Sequence, residues 1–581
     1  MQFSNSDIWI FIGYILLIVG FGVWIARRSG NATSKDYFLA SGALPWWAIG
    51  GSLIASNIST EQILGMNGSG FVMGLAISAY ELMAALTLII VAKFFLPVFI
   101  KNGIYTMPQF LETRYNATVR TIMAFFWVAL FLFVNITSIF YLGGLAINTL
   151  TGFPVLAGIV FIAIYSAVFS IFGGLKAVVW TDVAQVVILV IGGLMASYFV
   201  IDAVGQGNGF FTGLSTLYAE APEKFDMILD KSNPSYADLP GISVLIGGLW
   251  IANIYYWGNN QYIIQRALAA KSIGEAQRGV AFAALLKILM PLIVVLPGIA
   301  AFVLNADIDK PDQAFPWVLS NYVGDGFKGL VFAALVAAIG SSISSMVNSV
   351  STIFTLDIYK PLFNRTAGDE LLVVVGKITA GVALVTGILV APLLGNLDQV
   401  FQYIQEYTTF ISPGVVVVFI LGIFWKRATA NAALTAILMS VPLSLGLKEF
   451  FPALPFIDRA AFSFLIITIV MILVSIYETR ESNIEKSSSL RFQLIILAFV
   501  ALIALPSGIK FVVEDGEVSS WFGLLIIGLC AFVFYMVFTR SKYEGKGRLE
   551  VTDELFETGK VFNVSAWVIT IILTFIYAFM W

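Results

Sequence analysis

A chain of 581 residues with 59% hydrophobic and 12% charged side chains is too apolar for a set of soluble domains, and its mean hydropathy of +0.92 places most of it inside a bilayer. With no histidine and a single cysteine, Cys530, it lacks an imidazole relay, a disulfide framework and a thiolate metal site. A net charge of −3 marks no nucleic-acid partner, and no polar segment is long enough for an enzyme domain, so transport rather than catalysis is expected.

The apolar runs are about 20 residues long, enough for a helix to cross the hydrocarbon core, and they lack the alternation of barrel strands. About sixteen can be counted, which predicts an all-α polytopic membrane protein. The first, near residues 8–25, has no basic residue ahead of it and is followed by Arg27 and Arg28, so it reads as an anchor with its N-terminus outside. Threading alternately from there places most Lys and Arg on the cytoplasmic side and both termini outside. Residues 1–44 form this anchor and a link, and residues 36–47 return along the inner interface, where Trp46 and Trp47 suit the headgroup belt.

Next comes SLIASNISTEQ, Ser52 to Gln62, which sets three Ser, an Asn, a Thr, a Glu and a Gln inside a spanning run. Hydrocarbon holds no water to satisfy backbone groups, so this stretch is expected to break the helix and line an enclosed site, with free carbonyls at Ala55 and Ile58. The helix near 77–100 carries Tyr80 and Glu81, and a carboxylate at that depth must face the bundle interior or a partner. Spans near 121–148, which includes Asn135, 154–173 and 179–201 follow. Asp182 is expected at the start of the last, where an acid also suits a helix N-terminus as a cap.

An acidic outer loop, 202–240, precedes a second polar interruption in LWIANIYYWGNNQYIIQR, Leu249 to Arg266. Two interrupted helices, each opening a group of about five spans, predict an inverted repeat over 45–201 and 241–425 with the site at its interface. Residues 426–581 read as supporting helices, including two extra spans near 492–504 and 522–538.

Spacing collects the polar residues into faces. Ala338, Ser341, Ser342 and Ser345 follow i, i+3, i+4, i+7, so their oxygens converge on one neighbour. Hydroxyls and carbonyls are hard ligands suited to a hard cation, although small residues also permit close helix packing. Asn253, Tyr256 and Trp257 share a face, as do Phe401 and Gln405; with Asn57, Gln62, Glu81 and Lys287 they offer amides, a carboxylate, an ammonium and aromatic rings to one cavity. That set suits a sugar, which needs donors and acceptors around its rim and an apolar face to stack on. Glu81 and Lys287 would equally serve as a structural ion pair. A membrane sensor is disfavoured by the lack of a cytoplasmic output domain, and a channel by the lack of a repeated filter motif.

DYFLA, LPWW, SLIASNISTEQ, FVNITSIFYLGGLA, GGLKAVVWTD, LWIANIYYWGNNQYIIQR, TIFTLDIYK and FQYIQEYT run through nearly the whole chain and resemble the sodium/solute symporter family, in particular its sodium/glucose cotransporter branch. The resemblance implies a LeuT-type inverted repeat of 5+5 helices with flanking helices, in a bacterial inner membrane. It implies sodium-coupled symport of a galactose- or glucose-like sugar by alternating access, with an inositol, a sialic acid or an amino acid as the alternative solute. Partners are then the sugar, sodium ions and the lipid bilayer, with oligomeric state left open. The implied sugar hydrogen-bonders are Asn57, Gln62, Glu81, Asn253, Lys287 and Gln405, with Tyr256 as inner gate and Met66, Tyr80, Trp257 and Phe401 packing on the sugar. The implied sodium site is Ala55, Ile58, Ala338, Ser341 and Ser342.

Ala84 stands where a galactose symporter of that branch has a serine, Phe131 where it has a tyrosine, and Ser344 where it has an alanine. The last change makes Asp182, Ser341, Ser344 and Ser345 resemble the second sodium site of two-sodium members. No Lys or Arg lies beside Asp182 in the helix it is expected to start, so a bound cation is its expected partner, giving two sodium ions per sugar.

Overall fold

A computed structural model describes residues 4–29, 43–172, 174–397, 399–425, 428–480 and 549–580. The extra spans expected near 492–504 and 522–538, and residues 36–42 of the interfacial link, lie outside the described residues. What is described is helix and connecting loop, with one isolated bridge between Leu44 and Ala270. Among the described residues nine helical stretches are long and apolar enough to span a bilayer, and two bent pairs raise this to eleven. Hydropathy counts about sixteen, and part of the difference lies in the interrupted segments, whose pieces are each too short to span alone.

The helices that position the site are α1 (Asn5–Ser29), α2 (Trp46–Asn57), α3 (Ala79–Ile90), α4 (Gly174–Val204), α5 (Gly248–Ile254), α6 (Gln261–Leu268), α7 (Ile273–Ile288), α8 (Phe327–Ile353) and α9 (Val400–Thr409). Of these α2 is the most enclosed: Ala48 to Asn57 are all buried, and α4, α6, α7 and α8 pack around it. The approach of α7 is set by glycine. A Cβ on Gly50 would lie 2.6 Å from the Gly279 carbonyl, and one on Gly279 would lie 2.7 Å from the Trp46 carbonyl, so the two backbones meet where neither carries a side chain. By contrast α1 is peripheral, with Trp9 and Leu16 exposed on its apolar surface. It is tied at one end, where Asp7 accepts from the Gly326 and Gly329 amides at 2.8 Å each, a carboxylate at the N-terminus of α8.

Both polar stretches named from the sequence break their helices. At Ile58 the backbone leaves the helical region (φ −72°, ψ 78°), and the Ser59 amide turns to the Asn57 carbonyl at 2.7 Å instead of reaching back to Ala55. The chain resumes as a π-helical turn, Glu61–Met66. The second break follows another π-helical turn, Tyr255–Asn259, where Asn260 is extended (φ −88°, ψ 120°) before α6 begins. Such turns widen a helix by one residue and recur at functional sites.

The outer loop docks against the far end of the first broken segment. Lys224 donates to the Phe71 and Val72 carbonyls at 3.2 and 2.6 Å and lies 4.0 Å from the Phe302 ring centroid. Burial pulls its ammonium below the usual lysine range, with Glu223 opposing.

The glycine contact between α2 and α7 makes a prediction. Gly50→Ala should destabilise the purified protein by about 1–3 kcal/mol through overpacking, whereas Gly381→Ala, with nothing near its added methyl, should be neutral or better. Thermal unfolding in detergent, with both variants side by side, is the check; equal midpoints would mean that α2 and α7 can separate at no cost.

Candidate solute and sodium site

The breaks in α2 and between α5 and α6 open onto one cavity of about 620 Å³, part of it open to solvent. All eleven residues expected to face the solute line it: Asn57, Gln62, Met66, Tyr80, Glu81, Asn253, Tyr256, Trp257, Lys287, Phe401 and Gln405. Ala84 lines it as well. They come from five segments of the chain, so tertiary packing has gathered what sequence spacing could only suggest.

At its centre Lys287, from the last turn of α7, donates to Glu81 of α3 and to the Asn57 Oδ1 atom at the end of α2. The ammonium also sits 5.0 Å from the Trp257 ring. All three polar groups are buried, so the ion pair and its hydrogen bonds satisfy charges that the bilayer interior could not. Asn57 uses its other end, Nδ2, to donate to the Tyr256 hydroxyl at 3.1 Å, and Tyr262 donates to the same hydroxyl at 2.6 Å. Tyr256 is thereby held across the cavity by the residue that ends α2.

Aromatic rings form the apolar face. Tyr80 and Phe401 meet edge to face at 5.3 Å, and Tyr256 and Trp257 at 5.1 Å. Phe401 reaches this position over Gly65, where a Cβ would lie 2.9 Å from its own Cβ. Gln62 accepts from the Ser59 hydroxyl at 3.0 Å, which orients its amide, and Asn253 donates back to the Leu249 carbonyl at 3.1 Å.

On the opposite face of α2 lies a second polar cluster. One helix, α8, carries Ala338, Ser341, Ser342, Ser344 and Ser345, all buried. Ser342 donates to the Ser56 carbonyl at 3.3 Å, which sets it alongside the broken turn that holds Ala55 and Ile58. Ser341 donates to Asp182, and Asp182 also accepts from Ser52 at 2.7 Å and Ser56 at 3.2 Å. Ser344 points elsewhere, donating to the Ser166 carbonyl at 3.3 Å.

Two expectations about Asp182 are corrected here. It does not start a helix, since α4 begins at Gly174 and Asp182 lies two turns in. Nor does it lack a basic neighbour: Arg266 of α6 lies 3.3 Å away, donates through Nε to Ser52 at 2.8 Å, and also bonds Ser345 and the Tyr262 carbonyl. Both side chains of the pair are fully buried. The expectation considered only the helix of Asp182, and the partner comes from another one, 84 residues away in sequence.

Several cavity-lining residues are not among the expected solute contacts: Glu61, Leu130, Asn135, Ala252, Asn260, Ile404 and Thr408, of which Asn135 stands out in the sequence only as a polar residue in its span. Glu61 and Asn260 sit within the two polar interruptions, so a signal was present. Both Glu61 and Gln62 lie in the π-helical turn after the first break and line the cavity.

Comparison with known proteins now places the chain. The sodium:solute symporter family matches residues 37–440. A sodium/glucose cotransporter of Vibrio parahaemolyticus is 50% identical over 492 residues, covering 81% of this chain and 90% of its own. The human sodium/myo-inositol cotransporter 2 is 33% identical over 471 residues, covering 76% and 69%. Among solved structures, a Na+-coupled sialic acid symporter in a substrate-bound outward-open state superposes with a TM-score of 0.71 at 25% identity, covering 82% of this chain and 98% of the other. The chain belongs to the sodium:solute symporter family.

Proposed function

We propose that the protein is a sodium-driven symporter of a neutral sugar, working by alternating access around the cavity between the two broken helices. The observation that carries this is the lining of the cavity: amides, two carboxyl groups, one ammonium and four aromatic side chains converge on one space. Its charges select among solutes. Lys287, the only Lys or Arg in the lining, is already paired with Glu81, so an anionic solute would find no free cation there. A neutral polyol suits the lining better than a sialic acid or an amino acid. The Vibrio relative is named for glucose, and the human relative for myo-inositol, itself a ring of hydroxyls. An inositol is therefore the second reading, and Ala84 is the pocket position where the choice would be made. We place the 5+5 inverted repeat over 45–201 and 241–425, in a bacterial inner membrane with both termini outside.

Sodium would bind where the end of α2 faces α8, through the carbonyls of Ala55 and Ile58 with Ala338, Ser341 and Ser342. A second sodium would use Asp182, Ser341, Ser344 and Ser345, giving two ions per sugar; the solved sialic acid symporter is itself described with a novel Na+ site. In this chain Arg266 holds Asp182, so arginine and the second ion would compete for one carboxylate. The ion enters as the guanidinium withdraws.

Uptake of a labelled sugar panel into proteoliposomes under a sodium gradient tests the reading. Glu81→Gln and Lys287→Ala should each lower uptake about ten- to a hundredfold, since hydrogen bonds to charged groups are worth about 1.5–3 kcal/mol. Because removing one partner of a buried pair also costs about 3–5 kcal/mol of stability, the neutral double variant Glu81→Gln/Lys287→Met is the decisive one. It should fold and fail to transport; normal uptake would assign the pair to structure alone. Ala84→Ser should reorder the preference among sugar epimers and inositol.

Reversal potentials at varied sodium and sugar gradients should give a coupling ratio of two, falling in Asp182→Asn. A ratio of one in the unaltered protein refutes the second site. Arg266→Gln should lower thermal stability by about 3–5 kcal/mol in sodium-free buffer, with recovery in sodium but not in potassium. Arg266→Gln/Asp182→Asn should lose that sodium dependence.

A further inference from the structure

The cavity has two poles of unlike chemistry. At one, Lys287, Glu81 and Asn57 supply one another with donors and acceptors. At the other, the π-helical turn after the first break brings up Glu61, 3% exposed, together with Asn135 and Asn260, 5% and 2% exposed. Asn135 bonds the Glu61 carboxyl. Yet Glu61 Oε1, Asn135 Oδ1 and Asn260 Oδ1 are buried with no hydrogen-bond partner, and no Lys or Arg is paired with Glu61 among the described residues.

Each of these three atoms is an acceptor. The amide nitrogen of Asn135 is the end that can serve a carboxylate, so its oxygen is the end left over. Buried acceptors are satisfied in native proteins with few exceptions, and a carboxylate in hydrocarbon is costlier still. Three orphaned acceptors in one cavity, none matched by a donor of the protein, call for an occupant that brings donors.

We propose that Glu61, Asn135 and Asn260 form an acceptor pole of the solute site, and that Glu61 selects the solute by taking hydrogen bonds from its hydroxyl groups. This rests on the polyol reading above and extends it. Glu61 and Glu81 then divide the recognition. The Glu81 pole carries the ammonium and can serve ring or hydroxyl oxygens as well as O–H donors, whereas at the Glu61 pole the buried atoms left without a partner are oxygens, and the Asn260 amide nitrogen is the donor beside them. A solute lacking an O–H donor there leaves the carboxyl unsatisfied and binds poorly, which turns one hydroxyl into a requirement.

Equilibrium binding to the purified full-length protein in saturating sodium, with the transported sugar and its monodeoxy analogues, tests this. In the unaltered protein at least one deoxy analogue should bind about ten- to a hundredfold more weakly than the parent sugar. In Glu61→Gln the parent should weaken by a similar factor, while that one analogue should bind within about twofold of its affinity for the unaltered protein. The penalty for that hydroxyl thus disappears, and penalties for the others persist. An unchanged parent affinity, or an equal loss for the parent and every analogue, overturns the proposal, because the first denies contact and the second is what a structural role gives. If Glu61→Gln does not fold, Asn135→Ser on the same panel should show the same selective loss, and a uniform loss there again overturns it. Failure of the unaltered protein to bind any sugar or inositol overturns the polyol reading itself, a result recognisable before any variant is made.

Discussion

A backbone carbonyl inside a bilayer must be met by a donor or a cation, and α2 stops at Asn57, with three residues between it and the π-helical turn that continues it. Between Asn57 and Glu61 the helical ladder is interrupted, and the Ser59 amide bonds Asn57 rather than Ala55. This break is tolerable only because the surroundings are protein: α4, α6, α7 and α8 enclose α2, with glycines 50 and 279 letting α7 come within backbone contact. The serine-rich stripe of α8 then has a reason to face this point. Ser342 supplies a donor to the Ser56 carbonyl, one of the groups exposed by the break.

The same break ties the two polar sites together. Ser56 and Asn57 are neighbours in sequence and face different partners: Ser56 bonds Asp182, while Asn57 bonds Lys287 and the Tyr256 hydroxyl. Residues about 100° apart on one helix cannot move independently. On the proposed placement of the ion beside Ser56, a shift of the α2 end would displace Asn57 and loosen its hold on Tyr256. Coupling between ion and solute would then need no long pathway, because adjacent residues of one helix face the two sites.

The fold was legible wherever polarity conflicted with depth in the membrane. Ser52 to Gln62 and Leu249 to Arg266 advertised their breaks because polar residues have no other use there, and Glu81 and Lys287 stood out as isolated charges in apolar runs. The faces containing Asn253, Tyr256 and Trp257, and Phe401 and Gln405, followed from helical periodicity. What could not be read was pairing across the chain. Arg266 closes a polar stretch and looks like a basic residue at a helix end, yet its side chain is fully buried against Asp182. Glu61 lies in a legible polar stretch, but which of its residues face the cavity depends on where the helix breaks, and that is set by tertiary packing more than by local sequence. The start of α4 was misplaced because GGLKAVVW, which reads as a connection, is helical from Gly174.

Three ion pairs, two of them buried and the third part-buried, share a feature that bears on motion. Glu81 with Lys287, Asp182 with Arg266, and Arg120 with Asp357, the last at 2.9 Å, each join a residue before the outer loop to one after it. A buried pair gains Coulomb energy but loses hydration, and the two nearly cancel, so such pairs contribute little net stability while making a lone charge very costly. They therefore act less as glue than as conditions. The two halves of the chain can slide past one another only if each charge passes from its partner to water, to sodium or to a solute hydroxyl without being left bare. Movement with the cavity empty and the ion sites unfilled would strand Asp182 or Glu81, whereas movement with both filled would not. Obligatory coupling can thus follow from the cost of an unpaired charge in hydrocarbon, with the broken turn of α2 setting where that cost is felt.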